Sequence, residues 1–416
     1  MIKFRIDKLL ILLFSALFYL PAAAQFQADT FIEKLLKKHP ERFSDILKTP
    51  EKYKIQILYT RIDRNAKNEP HFKTYGYQVN RGEYFYPAST VKLLSIVLAF
   101  EKLNKLGIDK NTTMLTDVVR PEQTAVRVDT TSENGFPSVA HYAKKILLAS
   151  DNDAFNRLYE FIGQEEFNET LLKKGYKDVR ITHRLESPIG SENNRYTNPI
   201  KFEKDGKVIY EQPARYSSKT YFAPEPVLKG NGYMREGVLV NEPFAFTEKN
   251  SFPIEEQHKL LKAIFFPGQT PELQRFNLTE DDYAFLYRYM SQFPVETSYP
   301  AHYTDDYYDG YLKFLLFGAT KTRLPRHLRL FNKSGDAYGY LLDNAYIADF
   351  EKGIEFMLTA VIYANEDGIF NDDRYDYDKV GLPFMANLGK TILEYELSRK
   401  RPVRPDLGRF EVEYDK

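Results

Sequence analysis

The chain has 416 residues, of which 43% are hydrophobic and 28% charged, and its formal net charge is zero. That length supports a large core in one big domain or two interleaved ones, and the charge balance favours neither nucleic acid nor an anionic membrane surface as partner. Cysteine is absent, which excludes disulfides, thiolate metal sites, a cysteine nucleophile and a cysteine-linked lipid anchor. Tyrosine and phenylalanine number 31 each and tryptophan is missing, so the aromatic content belongs to the core and to the lining of any substrate groove.

In chain order, Lys3, Arg5 and Lys8 precede an apolar run over residues 9–20, and Ala22-Ala23-Ala24 follows it. This is the pattern of a cleaved export signal at residues 1–24, with cleavage before Gln25, since the run is short for a membrane span. The expected location is the periplasm or the exterior, with no membrane attachment after cleavage. Cleavage removes Lys3, Arg5, Lys8 and Asp7 and leaves a net charge of −2.

Thr30-Phe31-Ile32-Glu33 has the capping-box pattern of a helix start. Alternation of Ile55, Ile57 and Tyr59 with Gln56, Leu58 and Thr60 predicts a strand. Residues 89–105 are apolar on nearly every face, which predicts a helix at a domain centre, with Gly107 as its stop. A second helix is expected from Ser138 to Ala149 and a third from about Asp153. Lys204-Asp205-Gly206-Lys207 between β-prone runs is a hairpin signal, and residues 212–255, rich in Pro, Gly and Tyr, read as loops and short strands. Strands are expected over 327–332, 340–349 and 354–363, and a closing helix over 383–399.

This order predicts an α/β (α+β) fold, an antiparallel sheet flanked by helices with an inserted all-helical domain. The sheet domain is expected from 25–85 and 311–400 and the helical domain from 86–199. An insertion of hairpin, loops and helix would occupy 200–310, and a C-terminal tail 401–416.

Three short motifs carry the chemistry. Ser89-Thr90-Val91-Lys92 opens the buried helix, Ser150-Asp151-Asn152 sits in the break between two helices, and Lys333-Ser334-Gly335 ends an edge-like strand. Spaced i and i+3, Ser89 and Lys92 share a helix face, so the amine can reach the hydroxyl. A lysine in so apolar a helix has a lowered pKa, which makes a neutral, proton-accepting amine accessible. Ser150 could relay a proton to a leaving nitrogen and Asn152 could hold a substrate amide. Lys333 supplies a positive charge suited to a carboxylate, and its strand could pair with an extended substrate. Taken singly, each triplet reads as a helix cap or a turn with a snorkelling lysine. Their joint occurrence in this order, each at an element boundary, favours a nucleophilic site.

On these residues the chain resembles the serine β-lactamase and penicillin-binding family, whose signatures are S-x-x-K, S-D-N and K-T/S-G. The similarity covers most of residues 30–200 and 310–400, and Tyr338-Gly339 with Asp343-Asn344-Ala345 is similar to the strand pair of class A β-lactamases. The resemblance implies a serine hydrolase that forms an acyl-enzyme on Ser89, with Lys92, or Glu186 through a water, as activating base and Ser150 as proton donor to the leaving nitrogen. Lys333 and Ser334 would bind the substrate carboxylate. The N–H groups of Ser89 and of a residue just after Gly335, Ala337, would form the oxyanion hole. Arg184-Leu185-Glu186, followed by Thr197-Asn198-Pro199, resembles the loop whose glutamate activates the deacylating water, which assigns that role to Glu186. Gly190 departs from the pattern, standing where the family has an asparagine; Glu192 with Asn193 is a re-registered substitute. The long stretch between Pro199 and Lys333 is a second departure.

The expected substrates are β-lactam amides, or cell-wall peptides for a D-alanyl carboxypeptidase; a binding protein that keeps the fold without catalysis is the remaining reading. The protein is expected to be a monomer without a metal or organic cofactor. The acidic run Asp372, Asp373, Asp376 and Asp378 lacks the EF-hand glycine and closing glutamate, and reads as a solvated loop.

Overall fold

A computed structural model describes residues 30–301, 306–318 and 320–416. The export signal expected at 1–24 lies outside the described residues.

The chain begins with α1 (Phe31–Lys37) and α2 (Pro40–Lys48), then β1 (Gln56–Arg64) and β2 (Pro70–Tyr77). The helical part follows: α3 (Val91–Leu106), the short strand β3 (Thr113–Thr116), α4 (Val139–Ala149), α5 (Asn152–Ile162) and α6 (Gln164–Lys173). Next come the hairpin β4 (Ile200–Lys204) and β5 (Lys207–Gln212), and the small strands β6 (Leu228–Lys229), β7 (Gly232–Arg235), β8 (Val238–Val240) and β9 (Phe244–Ala245). Helices α7 (Ile254–Phe265) and α8 (Glu280–Ser291) and the one-turn α9 (Phe314–Phe317) lead to β10 (Leu328–Ala337), β11 (Tyr340–Asp349) and β12 (Ile354–Tyr363). The short β13 (Ile369–Phe370) and α10 (Leu382–Ser398) close the fold.

Five strands form one antiparallel sheet in the order β10-β11-β12-β1-β2, so strands from both ends of the chain share it. Side chains alternate between faces along a strand. Ile57, Tyr59, Leu330 and Leu358 pack on α1, α2 and α10, while Leu58, Ile62, Phe331 and Tyr346 join the core that contains α3, α4 and α5. Burial on both faces explains why β12 reads as a nearly continuous apolar run.

Helix α3 is buried through its first four turns and stops at Gly107, whose φ of 67° is the left-handed conformation glycine takes at no steric cost. Ser138 caps α4 by accepting from the His141 N–H.

The structure differs from the sequence reading in four places. Thr30 makes no capping bond, because its backbone (φ −68°, ψ 6°) is not the extended one that aims an N-cap oxygen at the helix; Glu33 pairs with Lys37 instead. The Lys333-Ser334-Gly335 strand runs on to Ala337, paired throughout with β11. Within 200–310 there are two long helices, and α7 packs under the sheet with Leu260, Leu261 and Ile264 fully buried, so much of that stretch completes the core. The segment 401–416 is anchored: Phe410 is buried against Phe265, Phe331 and Tyr346.

Candidate active site

Ser89 lies in a single 3-10 turn (Ala88–Thr90) that leads straight into α3. The preceding residue, Ala88, has a φ of 47°, a left-handed backbone that a residue with a Cβ rarely takes and that folded proteins concentrate at functional turns. Ser89 is half-buried, and its hydroxyl has no hydrogen-bond partner among the described residues.

Lys92 is completely buried one turn later. Its amine donates to the Ser150 carbonyl and lies 3.1 Å from Ser150 Oγ, so the closest polar contacts of the amine are to Ser150 and not to Ser89. Burial, reinforced by the Lys333 charge, holds the amine well below the usual lysine range, while Asp151, Asp336 and Glu186 pull it back. That lowering favours the neutral amine, the form that can act as a base.

Ser150 ends α4 in the left-handed conformation (φ 55°, ψ 35°), and the N–H groups of Ser150 and Asp151 still close the helix. This break turns Ser150 Oγ toward Lys92 and also toward Lys333, whose Nζ donates to it at 2.9 Å. Asp151 then caps α5 through Ala154 N–H, which places Asn152 on the first turn, where its Nδ2 donates to Glu186 Oε2 at 2.7 Å.

Lys333 is buried, donates also to the Ser334 carbonyl at 2.7 Å, and is pushed down to about 7 by burial. Ser334 Oγ donates to the Leu312 carbonyl at 2.7 Å. Gly335 is required on steric grounds: a Cβ there would lie 2.5 Å from Ser89 N and 3.1 Å from Ser89 Cα. The edge strand and the Ser89 turn are therefore in backbone contact.

The register corrects one assignment. Ala337 pairs with Tyr340 across a two-residue turn in which Tyr338 and Gly339 both have positive φ. In such a hairpin the closing pair exchanges backbone bonds, which turns the Ala337 N–H to β11. The alternate residue, Asp336, presents its N–H to the open edge.

Glu186 is exposed, with φ 48°, in a loop fixed from beneath. Asn156 of α5 clamps Leu185 twice, accepting from its N–H at 2.8 Å and donating to its carbonyl at 3.0 Å. Arg184 pairs with buried Glu160 at 3.0 Å, and Asn194 holds the Arg184 N–H and the carbonyls of Ile189 and Gly190. A recess of about 320 Å³ lined by Asn156, Arg157, Glu160, Arg184 and Glu186 opens there, room for several waters. Glu192 does not line it, its carboxylate being paired with Arg195 at 2.7 Å, whereas Asn193 does line it and accepts there from Arg120.

The structure thus brings together Ser89, Lys92, Ser150, Lys333 and Gly335, with Asn152 and Glu186 joined beside them. The sequence reading missed Asn156, the Leu312 carbonyl and Asp336. Of these, only Asp336, adjoining the Lys333 triplet, carried a local signal. Among the described residues no group of three or more His, Cys, Asp or Glu is placed to hold a metal ion, and no helix is long and apolar enough to cross a membrane.

Residues 41–215 match the model of the beta-lactamase enzyme family. The matched segment, less than half of the chain, contains Ser89, Lys92, Ser150, Asn152 and Glu186, and the fold is β-lactamase-like. No curated protein sequence matches it. Among solved structures it is similar to the chromosome-encoded β-lactamase of Vibrio parahaemolyticus (13% identity, TM-score 0.47, 85% of this chain and 98% of that one). It is also similar to a β-lactamase from Xanthomonas campestris pv. campestris (13%, 0.47, 89% and 98%). A mutant of PBP-A in an acyl-enzyme complex with penicillin G gives 14% identity and a TM-score of 0.48 over 87% of this chain and 96% of that one.

Proposed function

We propose that the chain hydrolyses β-lactam-type amides through an acyl-enzyme on Ser89. The observation that carries this reading is the convergence of two buried, pKa-lowered amines, Lys92 and Lys333, on Ser150 Oγ beside the Ser89 turn. In the first half-reaction Lys92 takes the Ser89 hydroxyl proton as Oγ attacks the amide carbonyl carbon. The oxyanion is held by the Ser89 and Asp336 N–H groups. The C–N bond then breaks, and the proton passes through Ser150 to the leaving nitrogen.

In the second half-reaction Glu186 takes a proton from a water held between its carboxylate and the ester on Ser89. The hydroxide adds to the ester carbonyl, the bond to Ser89 breaks, and the proton returns to Ser89 Oγ. The 2.7 Å bond from Asn152 to Glu186 supports this role by orienting the carboxylate. The protein would act as an exported monomer on a small-molecule substrate. Cell-wall peptide amides are the second reading, favoured by Gly190, which offers no side chain to hold the deacylating water.

The test is an intact-mass time course with benzylpenicillin. Transient addition of its mass to the wild type, a trapped adduct on Glu186→Ala and none on Ser89→Ala are expected. A wild type that stays acylated transfers the assignment to the peptidase. No adduct on the wild type under any condition would overturn both.

A further inference from the structure

The part of the cleft beside Lys333 is poorly furnished for an anion. Along β10, alternation puts Ser334 and Asp336 on one face and Lys333 and Gly335 on the other. The Ser334 hydroxyl proton is already committed to the Leu312 carbonyl. The Lys333 amine already donates to Ser150 Oγ and to the Ser334 carbonyl, and its burial favours the neutral form. The neighbouring strand β11 contributes no cation, since its sequence holds neither lysine nor arginine.

Asp336 itself is exposed and follows Gly335, the residue in backbone contact with Ser89. Its carboxylate acts electrostatically on Lys92 and Lys333 and on Tyr311 across the cleft. Both lysines pull its own carboxyl down, yet the crowding around it leaves that carboxyl above the usual range. A substrate carboxylate docking next to Ser334 would meet a like charge, and like charges in a partly desolvated cleft discriminate strongly.

We propose that Asp336 is a specificity-determining residue that turns the cleft away from substrates with a free carboxylate beside the leaving nitrogen, and toward amides that are uncharged or cationic there. This rests on the acyl-enzyme reading of Ser89 and narrows its substrate class. Penicillins, which carry that carboxylate, are then acylating agents handicapped by one residue.

The test compares wild type and Asp336→Asn against benzylpenicillin and its methyl ester, reading the rate of Ser89 acylation by intact mass and folding by thermal melting. The ratio of the rate constant for benzylpenicillin to that for the ester should rise roughly tenfold in the variant, whatever the change common to both. Asp336→Ser, which also removes the charge, should behave alike, and serves if the asparagine variant melts early. Equal changes for both compounds, or none, overturn the proposal.

If neither compound acylates either protein, the β-lactam reading has failed, and binding of phenylboronic acid and 3-carboxyphenylboronic acid decides the matter. Weaker binding of the carboxylated boronate to wild type, with the gap closed in Asp336→Asn, upholds the role of Asp336. Equal binding, or none by either boronate, overturns it.

Discussion

The Lys333 amine donates to the Ser150 hydroxyl oxygen across 2.9 Å, and Ser150 holds that oxygen out by a left-handed backbone no side chain favours. Local strain of this kind costs about 1–2 kcal/mol. Ser150→Gly should therefore be about 1 kcal/mol more stable than Ser150→Ala, which keeps the strain and also loses the hydroxyl. Both should lose acylation by about 10²–10⁴-fold if Ser150 carries the proton to the leaving group. Melting curves and acylation rates of the two variants check this, and an alanine variant as fast as wild type would remove Ser150 from the proton path.

Gly335→Ala places its new methyl 2.5 Å from Ser89 N, a backbone atom that cannot rotate away. Either β10 or the nucleophile turn must shift. Displacements near 1 Å at a reacting centre cost about 10²-fold in rate, so acylation should fall by at least that much. Thermal unfolding should show a loss of about 1–3 kcal/mol from overpacking. Unchanged kinetics would mean that the contact between strand and serine is not maintained in solution.

Gly190 contrasts with Gly335: a Cβ there meets nothing within 4 Å, and the residue is exposed. Gly190→Asn should leave stability within about 0.5 kcal/mol and supply a polar side chain on the loop that carries Glu186. Hydrolysis of a preformed acyl adduct should quicken several-fold, as followed by the decay of adduct mass. If the decay is unaltered, position 190 does not border the attacking water.

His258 joins the sheet to α7, with its ring nitrogens bonded to Thr60 Oγ1 at 2.6 Å and Thr359 Oγ1 at 2.8 Å. Burial, aided by the nearby Lys262 charge, lowers it from 6.5 to about 3. Between these two values the unfolded chain binds the proton and the folded chain does not. Stability conferred by the neutral ring is therefore full above pH 6.5 and drains as pH falls toward 3, by up to about 1.4 kcal/mol per unit. His258→Gln should flatten the decline of unfolding free energy between pH 6 and 4, measured by urea titration at several pH values. Parallel slopes for the two proteins would contradict the neutral buried ring.

Much of the site was legible because it is local. Ser89 and Lys92 are one helical turn apart, Ser150 marks a helix break, and Lys333-Ser334-Gly335 follows the apolar residues Leu328, Leu330 and Phe331, so each announces itself in a few residues. What the sequence concealed depends on register and on backbone groups. Whether Asp336 or Ala337 faces the open edge is decided only once Tyr338-Gly339 is known to be a two-residue turn. The Leu312 carbonyl that binds Ser334 has no sequence signal at all, and nothing in the residues around Asn156 marks its clamp on Leu185. The Thr30 motif misled for the same reason, since a capping box needs a backbone angle that four letters do not specify.

The sheet drawn from both chain ends also dictates an order of events during synthesis. Ser89, Lys92 and Ser150 leave the ribosome long before β10, β11 and β12, and β1 has no β12 to pair with until about 300 further residues are made. Nor can the serine meet Lys333 or be braced by Gly335 in that interval. The nascent chain therefore carries Ser89 and Lys92 without their strand, and the final quarter of the polypeptide is the key that completes the cleft.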